Sequence, residues 1–182
     1  MISPSSLNTK QTPESGNRHM KEILSQFAAY NIWANQKLLD TILALPEEQQ
    51  RRELPSSFKS LYSTVLHMLN AESVWWQRMK LQERINLPME YFKGNMKELS
   101  SELLSQNKLW QDWVNNATEP MLAHVFHYYS LKKELYKQPI YQMIMHVFNH
   151  GSYHRGQLVN MLRQLGVTKI PQTDFIVWSR KK

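Results

Sequence analysis

The chain has 182 residues, 42% of them hydrophobic, with five glycines, no cysteine and a formal net charge of +7. That length suits one domain with a real core, and so few glycines favour helices over a turn-rich β fold. The missing cysteine excludes disulfides, zinc-thiolate sites and cysteine nucleophiles, so any metal must be held by histidine, carboxylate or amide groups.

Residues 1–16 are rich in Ser, Thr, Asn and Pro and lack the apolar centre of a secretory signal. Residues 1–18 are expected to form a disordered arm, leaving 19–182 as a single metal-binding domain. No apolar run approaches the ~18 residues needed to span a bilayer, so a cytoplasmic protein without a membrane partner is expected. The basic residues are scattered, as at Arg51-Arg52, Lys132-Lys133 and the tail Arg180-Lys181-Lys182, and form no stripe interleaved with aromatics. A solvated basic surface is the expectation, not a nucleic-acid interface.

Four segments then carry helical periodicity. The first, residues 20–45, repeats Leu24, Phe27, Asn31, Ala34, Leu38, Ile42 and Leu45 at three- and four-residue steps, and Pro46 ends it. The second, residues 61–82, follows Ser56-Ser57, which are read as N-caps. The third, residues 96–116, places Leu99, Leu103, Trp110, Trp113 and Val114 on its apolar side. Residues 121–138, containing His124-Val125-Phe126-His127-Tyr128-Tyr129, predict a short extended excursion or hairpin. A fourth helix follows Pro139 and runs to Leu165, where Gly166 stops it. Val167 to Trp178 is read as irregular, with an apolar end that packs back. The fold expected is all-α, a four-helix bundle with a short extended segment between helices three and four.

The fourth helix carries His146, His150 and His154. At about 100° per residue, histidines at i, i+4 and i+8 share a face, and two imidazoles four apart can close on one ion. The apolar residues Ile140, Ile144, Val147, Leu158, Met161, Leu162 and Leu165 define the buried direction. His154 lies nearest to it, His150 at its edge and His146 furthest away, so His150 and His154 are the pair selected. Gly151 and Gly156 inside this helix point to a close approach, since each costs about 1 kcal/mol against Ala. A third ligand must come from elsewhere, and His67 is the only histidine of helix two. Periodicity leaves its role open. The stripe of Leu61, Val65, Met68, Trp75 and Met79 is centred away from it, and its small neighbours Ser63, Thr64 and Ala71 suit a cavity or solvent equally.

The chain resembles the DinB/YfiT-like family of four-helix metalloproteins. The resemblance is carried by Tyr30-Asn31-Ile32-Trp33-Ala34-Asn35, by Leu66-His67-Met68-Leu69-Asn70-Ala71-Glu72-Ser73-Val74-Trp75, by His146 through His150 to His154-Arg155-Gly156-Gln157, and by Leu165-Gly166 before Pro171 and Asp174. It implies one divalent transition metal, nickel or zinc, held on a helix-two histidine and two helix-four residues four apart, here His67, His150 and His154. It also implies a homodimer, which would suit the broad apolar surface of helix two. Some members are thiol transferases or isomerases that take a low-molecular-weight thiol as cosubstrate. Those resembling maleylpyruvate isomerases carry Glu at the position of His150, so that reaction is not implied here.

Glu72, near the centre of the helix-two stripe, needs a partner: it either orients an imidazole or pairs with an arginine. Tyr30, Trp33 and Asn35 are expected to border the metal pocket or fill the core. Arg155 meets an anionic substrate or a surface carboxylate. Three neutral imidazoles leave a coordination position open, the catalytic pattern. The function expected is therefore a metal-dependent hydrolase or thiol-dependent transferase acting on a small molecule, the alternative being a non-catalytic metal-binding stress-response module that works through a partner.

Overall fold

The computed structural model of the protein describes residues 14–130 and 132–180, with side chains described from His19 onward. Most of the expected N-terminal arm lies outside the described residues. Four long helices dominate: α1 (Glu14–Leu43), α3 (Leu61–Met79), α5 (Met96–Asn116) and α7 (Ile140–Gln164). Between them lie the short helices α2 (Glu47–Arg51), α4 (Pro88–Tyr91) and α6 (Glu119–Ala123), with α8 (Phe175–Ser179) after them. Strands β1 (Val125–Tyr129) and β2 (Leu135–Pro139) pair antiparallel, Val125 opposite Pro139 and Tyr129 opposite Leu135. The architecture is the all-α bundle that the periodicity predicts, with its hairpin between the third and fourth long helices.

The helix ends show where local chemistry is sharper than pattern. α3 is not capped by Ser56 or Ser57. Ser60, in extended backbone, accepts from the Ser63 amide at 3.1 Å, while the Ser63 hydroxyl accepts from the Ser60 amide at 2.9 Å. This reciprocal box satisfies two of the amides that a helix start leaves unbonded. Asn95 and Glu98 build the same device at the start of α5. α1 ends before Pro46, which serves as the N-cap position of α2. At the far end of α7, Gly166 takes φ +82°, and the Val167 amide returns to the Leu162 carbonyl at 3.0 Å. A left-handed residue closes the helix there, which is why glycine stands at that point.

α1 packs against α5 and α7, and α3 against the same two helices, so α1 faces α3 across the bundle's diagonal. Two apolar clusters fill the interior. One joins Leu38 and Ile42 of α1 to Leu61 and Val65 of α3, Leu99 of α5 and Leu162 of α7. The other joins Leu24 and Ala28 to Trp75 and Met79, Trp110 and Val114, and Ile144 and Val147. Each cluster therefore takes the C-terminal part of α1 and α7 with the N-terminal part of α3 and α5, or the reverse. It follows that α1 and α7 run one way and α3 and α5 the other.

Polar residues divide these halves. Asn31 and Asn35 of α1, Glu72 of α3, Asn107 of α5 and Arg155 of α7 are each no more than 3% exposed. They close a ring. The Asn107 amide donates to Glu72 Oε2 at 2.6 Å and the Asn35 amide to Asn107 Oδ1 at 2.8 Å. Arg155 Nη1 donates to Asn35 Oδ1 at 3.0 Å and Asn31 Oδ1 at 2.6 Å, and the Asn31 amide approaches Glu72 Oε1 at 3.4 Å. Arg155 Nη2 also donates to Ser152 Oγ at 2.7 Å. Arg155 is thus an internal tie between helices, not a surface ion-pair partner. Gly151 makes room for it: a Cβ there would meet Asn31 Oδ1 at 3.0 Å and Arg155 Nη1 at 3.3 Å. Gly156 faces open space, and nothing in the structure explains it.

Candidate metal centre

α3 and α7 are neighbours, and their ring residues Glu72 and Arg155 point inward. Each lies five residues from a histidine on the same helix, about 140° around the axis, so His67 and His150 emerge on the outer side of the α3–α7 seam. Burial on α7 falls from His154, 3% exposed, through the half-buried His150 to the exposed His146. This is the order given by the helical wheel.

The structure brings His67, His150 and His154 together and leaves His146 out. Nε2 of His150 lies 3.2 Å from Nε2 of His67 and 3.0 Å from Nε2 of His154, and one donor atom from each residue falls within 4.8 Å of the others. Imidazoles tetrahedrally bound at 2.0–2.1 Å would hold their nitrogens ~3.3 Å apart, so these side chains need only small adjustments to share an ion. His146 stacks instead edge-on to Trp75, ring centroids 5.2 Å apart. His124 and His127 are exposed, before and on β1, and His19 is on α1; none joins the cluster.

The donor set itself fits a cation. Gln157 Oε1 lies 2.8 Å from His154 Nδ1, and a carbonyl oxygen can only accept, so the proton sits on Nδ1 and a lone pair on Nε2. With His154 fixed in this tautomer, His150 must donate to satisfy that contact, and it then has no lone pair to offer His67. One proton at most serves both close contacts. A positive ion among three lone pairs resolves the arrangement better than any distribution of protons. Burial, with a smaller contribution from the neighbouring imidazoles, holds the pKa of both His67 and His150 down to about 4, and burial lowers that of His154 as well. Neutral imidazole is the form that binds metal.

Those depressed pKa values have a consequence for the metal-free chain. Unfolded, His67 and His150 take up protons near 6.5, whereas folded they do so only near 4. The unfolded state therefore binds more protons between these values, and stability falls as pH falls through that window. The expected result is that His150→Ala flattens this decline, read from urea unfolding of chelator-treated wild type and variant at about pH 7.5 and about pH 5. Equal acid sensitivity of the two proteins would refute it.

Two contributors went unassigned in the sequence. Gln157 was detectable, since i+3 from His154 puts it on the same helix face. Phe58 was not: it sits in the irregular stretch between α2 and α3, where no periodicity speaks. Its ring stacks on His67 at 4.0 Å between centroids and meets His154 edge-on at 5.5 Å, walling the cluster on one side. Glu72 touches no imidazole; its partners are the two asparagine amides. Tyr30 lies away from the cluster, its hydroxyl donating to the Thr173 carbonyl at 2.6 Å, and Asn35 belongs to the ring.

The chain is similar to known proteins. A family model described as "DinB family" matches residues 17–180. The protein named Protein DinB from Bacillus subtilis (strain 168) is 27% identical over 176 residues, covering 86% of this chain and 93% of that relative.

Proposed function

The chain belongs to the DinB family, and from that premise we propose that it holds one divalent transition metal, nickel or zinc, on His67, His150 and His154 and acts as a metal-dependent hydrolase or thiol-dependent transferase. The observation that carries this reading is the convergence of three Nε2 atoms with His154 locked by Gln157. Three neutral imidazoles leave a position for substrate, and an ion so held supplies Lewis-acid chemistry, lowering the pKa of a water or thiol that binds it. The chain's own residues do the rest. Gln157 keeps the His154 lone pair directed at the site. Phe58 covers one face of His67 and excludes water from that side.

Among the described residues no carboxylate joins the cluster. A thiol on such an ion would have its pKa lowered enough to lose its proton to solvent without a dedicated general base, so thiol transfer to a small electrophile would ask least of the protein. The same lack keeps the second reading in view, a non-catalytic metal-binding stress-response module acting through a partner. The test is a screen of metal-loaded protein with low-molecular-weight thiols and electrophiles, beside ester and amide panels. Metal-dependent turnover lost in His150→Ala is expected; full metal occupancy with no turnover in any panel would favour the second reading.

No helix among the described residues is long and apolar enough to cross a membrane. A homodimer is part of the same proposal, although the surface differs from that expected on helix two. Exposed large apolar side chains lie on α1, α7 and α8, at Ile23, Phe27, Met145, Tyr153 and Ile176, and none lies on α3.

A further inference from the structure

A second feature shares the His67 side of α3. Asn70, Ala71 and Val74, three, four and seven residues beyond His67, line a cavity of about 570 Å³ between α3, α4 and the hairpin. Its walls are apolar and aromatic: Val74, Trp75, Leu87, Met89, Tyr128 and Tyr136. Arg78 stands at its far end. Eleven residues from His67 is just over three full turns, so Arg78 lies on nearly the same helix face ~16 Å along the axis.

Arg78 is half-buried, its guanidinium 4.8 Å from the centroid of the Trp75 ring and 5.5 Å from that of Tyr128. Among the described residues it has no carboxylate within 4.0 Å and donates no hydrogen bond. Burial lowers its pKa, a sign that the cation is short of partners. A guanidinium carries five N–H donors in a planar fork that suits a carboxylate or similar oxyanion. Lys132 adds a second cation on the cavity rim. The acid beside it, Glu134, accepts from the Tyr136 hydroxyl at 2.9 Å. A volume of this size, with apolar walls and few convergent polar groups, is that of a small-molecule site.

We propose that this cavity binds an organic anion with a planar apolar body, its acid group at Arg78 and its far end directed along α3 toward the histidine cluster. That the bound molecule is the substrate rests on the metalloenzyme reading above; the binding site itself does not.

Isothermal titration calorimetry of the full chain with 2-naphthoate and with 2-naphthamide, its neutral analogue of the same shape, tests this. The naphthoate is expected to bind more tightly, and Arg78→Gln to weaken it by about 10- to 100-fold, the worth of charge-assisted hydrogen bonds, while changing naphthamide binding by less than about twofold. Arg78→Lys, which keeps the charge and loses the fork, retains the preference for the anion and serves if the Gln variant melts early. His67→Ala leaves naphthoate binding intact. Equal binding of the two probes, no binding of naphthoate at millimolar concentration, or unchanged affinity in Arg78→Gln overturns the proposal. Loss in His67→Ala with retention in Arg78→Gln would put the anion on the metal instead, overturning the cavity site while supporting the metal centre.

Discussion

Replacing His67, His150 or His154 by alanine is expected to abolish stoichiometric metal, while His146→Ala retains it. The sequence contains two i, i+4 pairs that could close on an ion, His146 with His150 and His150 with His154. Geometry separates them. The Nε2 atoms of His150 and His154 are 3.0 Å apart, whereas the His146 ring centroid is 5.8 Å from that of His150 and its edge is taken by Trp75. With three protein ligands in all, losing one leaves two, too few to hold an ion against solvent. Gln157→Ala keeps the ligands but frees the His154 tautomer, and should weaken affinity by about 10- to 100-fold. The fold should survive each change, because the two apolar clusters lie to either side of these residues. Metal analysis of the purified variants reads the outcome; a metal-free His146→Ala beside a metal-loaded His154→Ala would sink the assignment.

The second large effect is one of stability. Arg155→Met removes the donor that serves Asn31 and Asn35 and leaves Glu72 with no cation in the bundle interior. Stranding the Asn31 and Asn35 carbonyl oxygens, both buried, costs about 1–3 kcal/mol each, a large share of the roughly 5–15 kcal/mol typical of a domain. Glu72→Gln is the informative companion. Burial pushes the Glu72 carboxyl up to about 7, from 4.5 when unfolded, against the lowering by the two amides and by Arg155. A raised folded pKa means that the folded state binds more protons between those values, so this group's contribution is complete below about 4.5 and is lost as pH rises to about 7. Glu72→Gln removes that decline, on the order of 3 kcal/mol. Urea unfolding of both proteins at about pH 5 and about pH 8 isolates the effect, since the histidines are common to both. A difference between wild type and Glu72→Gln that does not change with pH would refute it.

How far the sequence revealed this molecule depends on the range of each interaction. Periodicity is a single-helix property, and it located the four long helices and the face shared by His150 and His154. Aromatic and β-branched content located the hairpin, and Gly166 marked the end of α7. Short capped turns escaped because their signals compete locally: Ser56, Ser57 and Ser60 are all eligible caps, and Ser57 has a serine three residues on just as Ser60 does, so the pattern alone does not choose between them. α8 was read as irregular because five residues are too few to show a period. The ring was illegible for another reason. Asn31 reads as a polar interruption of an apolar stripe and Arg155 as a surface charge; only the packing of four helices shows that each satisfies another. His67 stood open on its own wheel because its neighbours, Phe58 and the α7 histidines, are brought to it by the tertiary fold.

The polar layer also divides the interior into two compartments of evolutionary change. Substitutions among the leucines around Leu99 and those around Trp110 share no side-chain partners, so their effects should add independently, as for well-separated sites. Either half can drift in composition while the other stays as it is. The layer itself cannot drift piecemeal, since every member is held by residues of other helices, and sliding any helix by one turn would strand the rest. It acts as an alignment pin: the hydrocarbon on each side is interchangeable in detail, and the height at which the four helices meet is not.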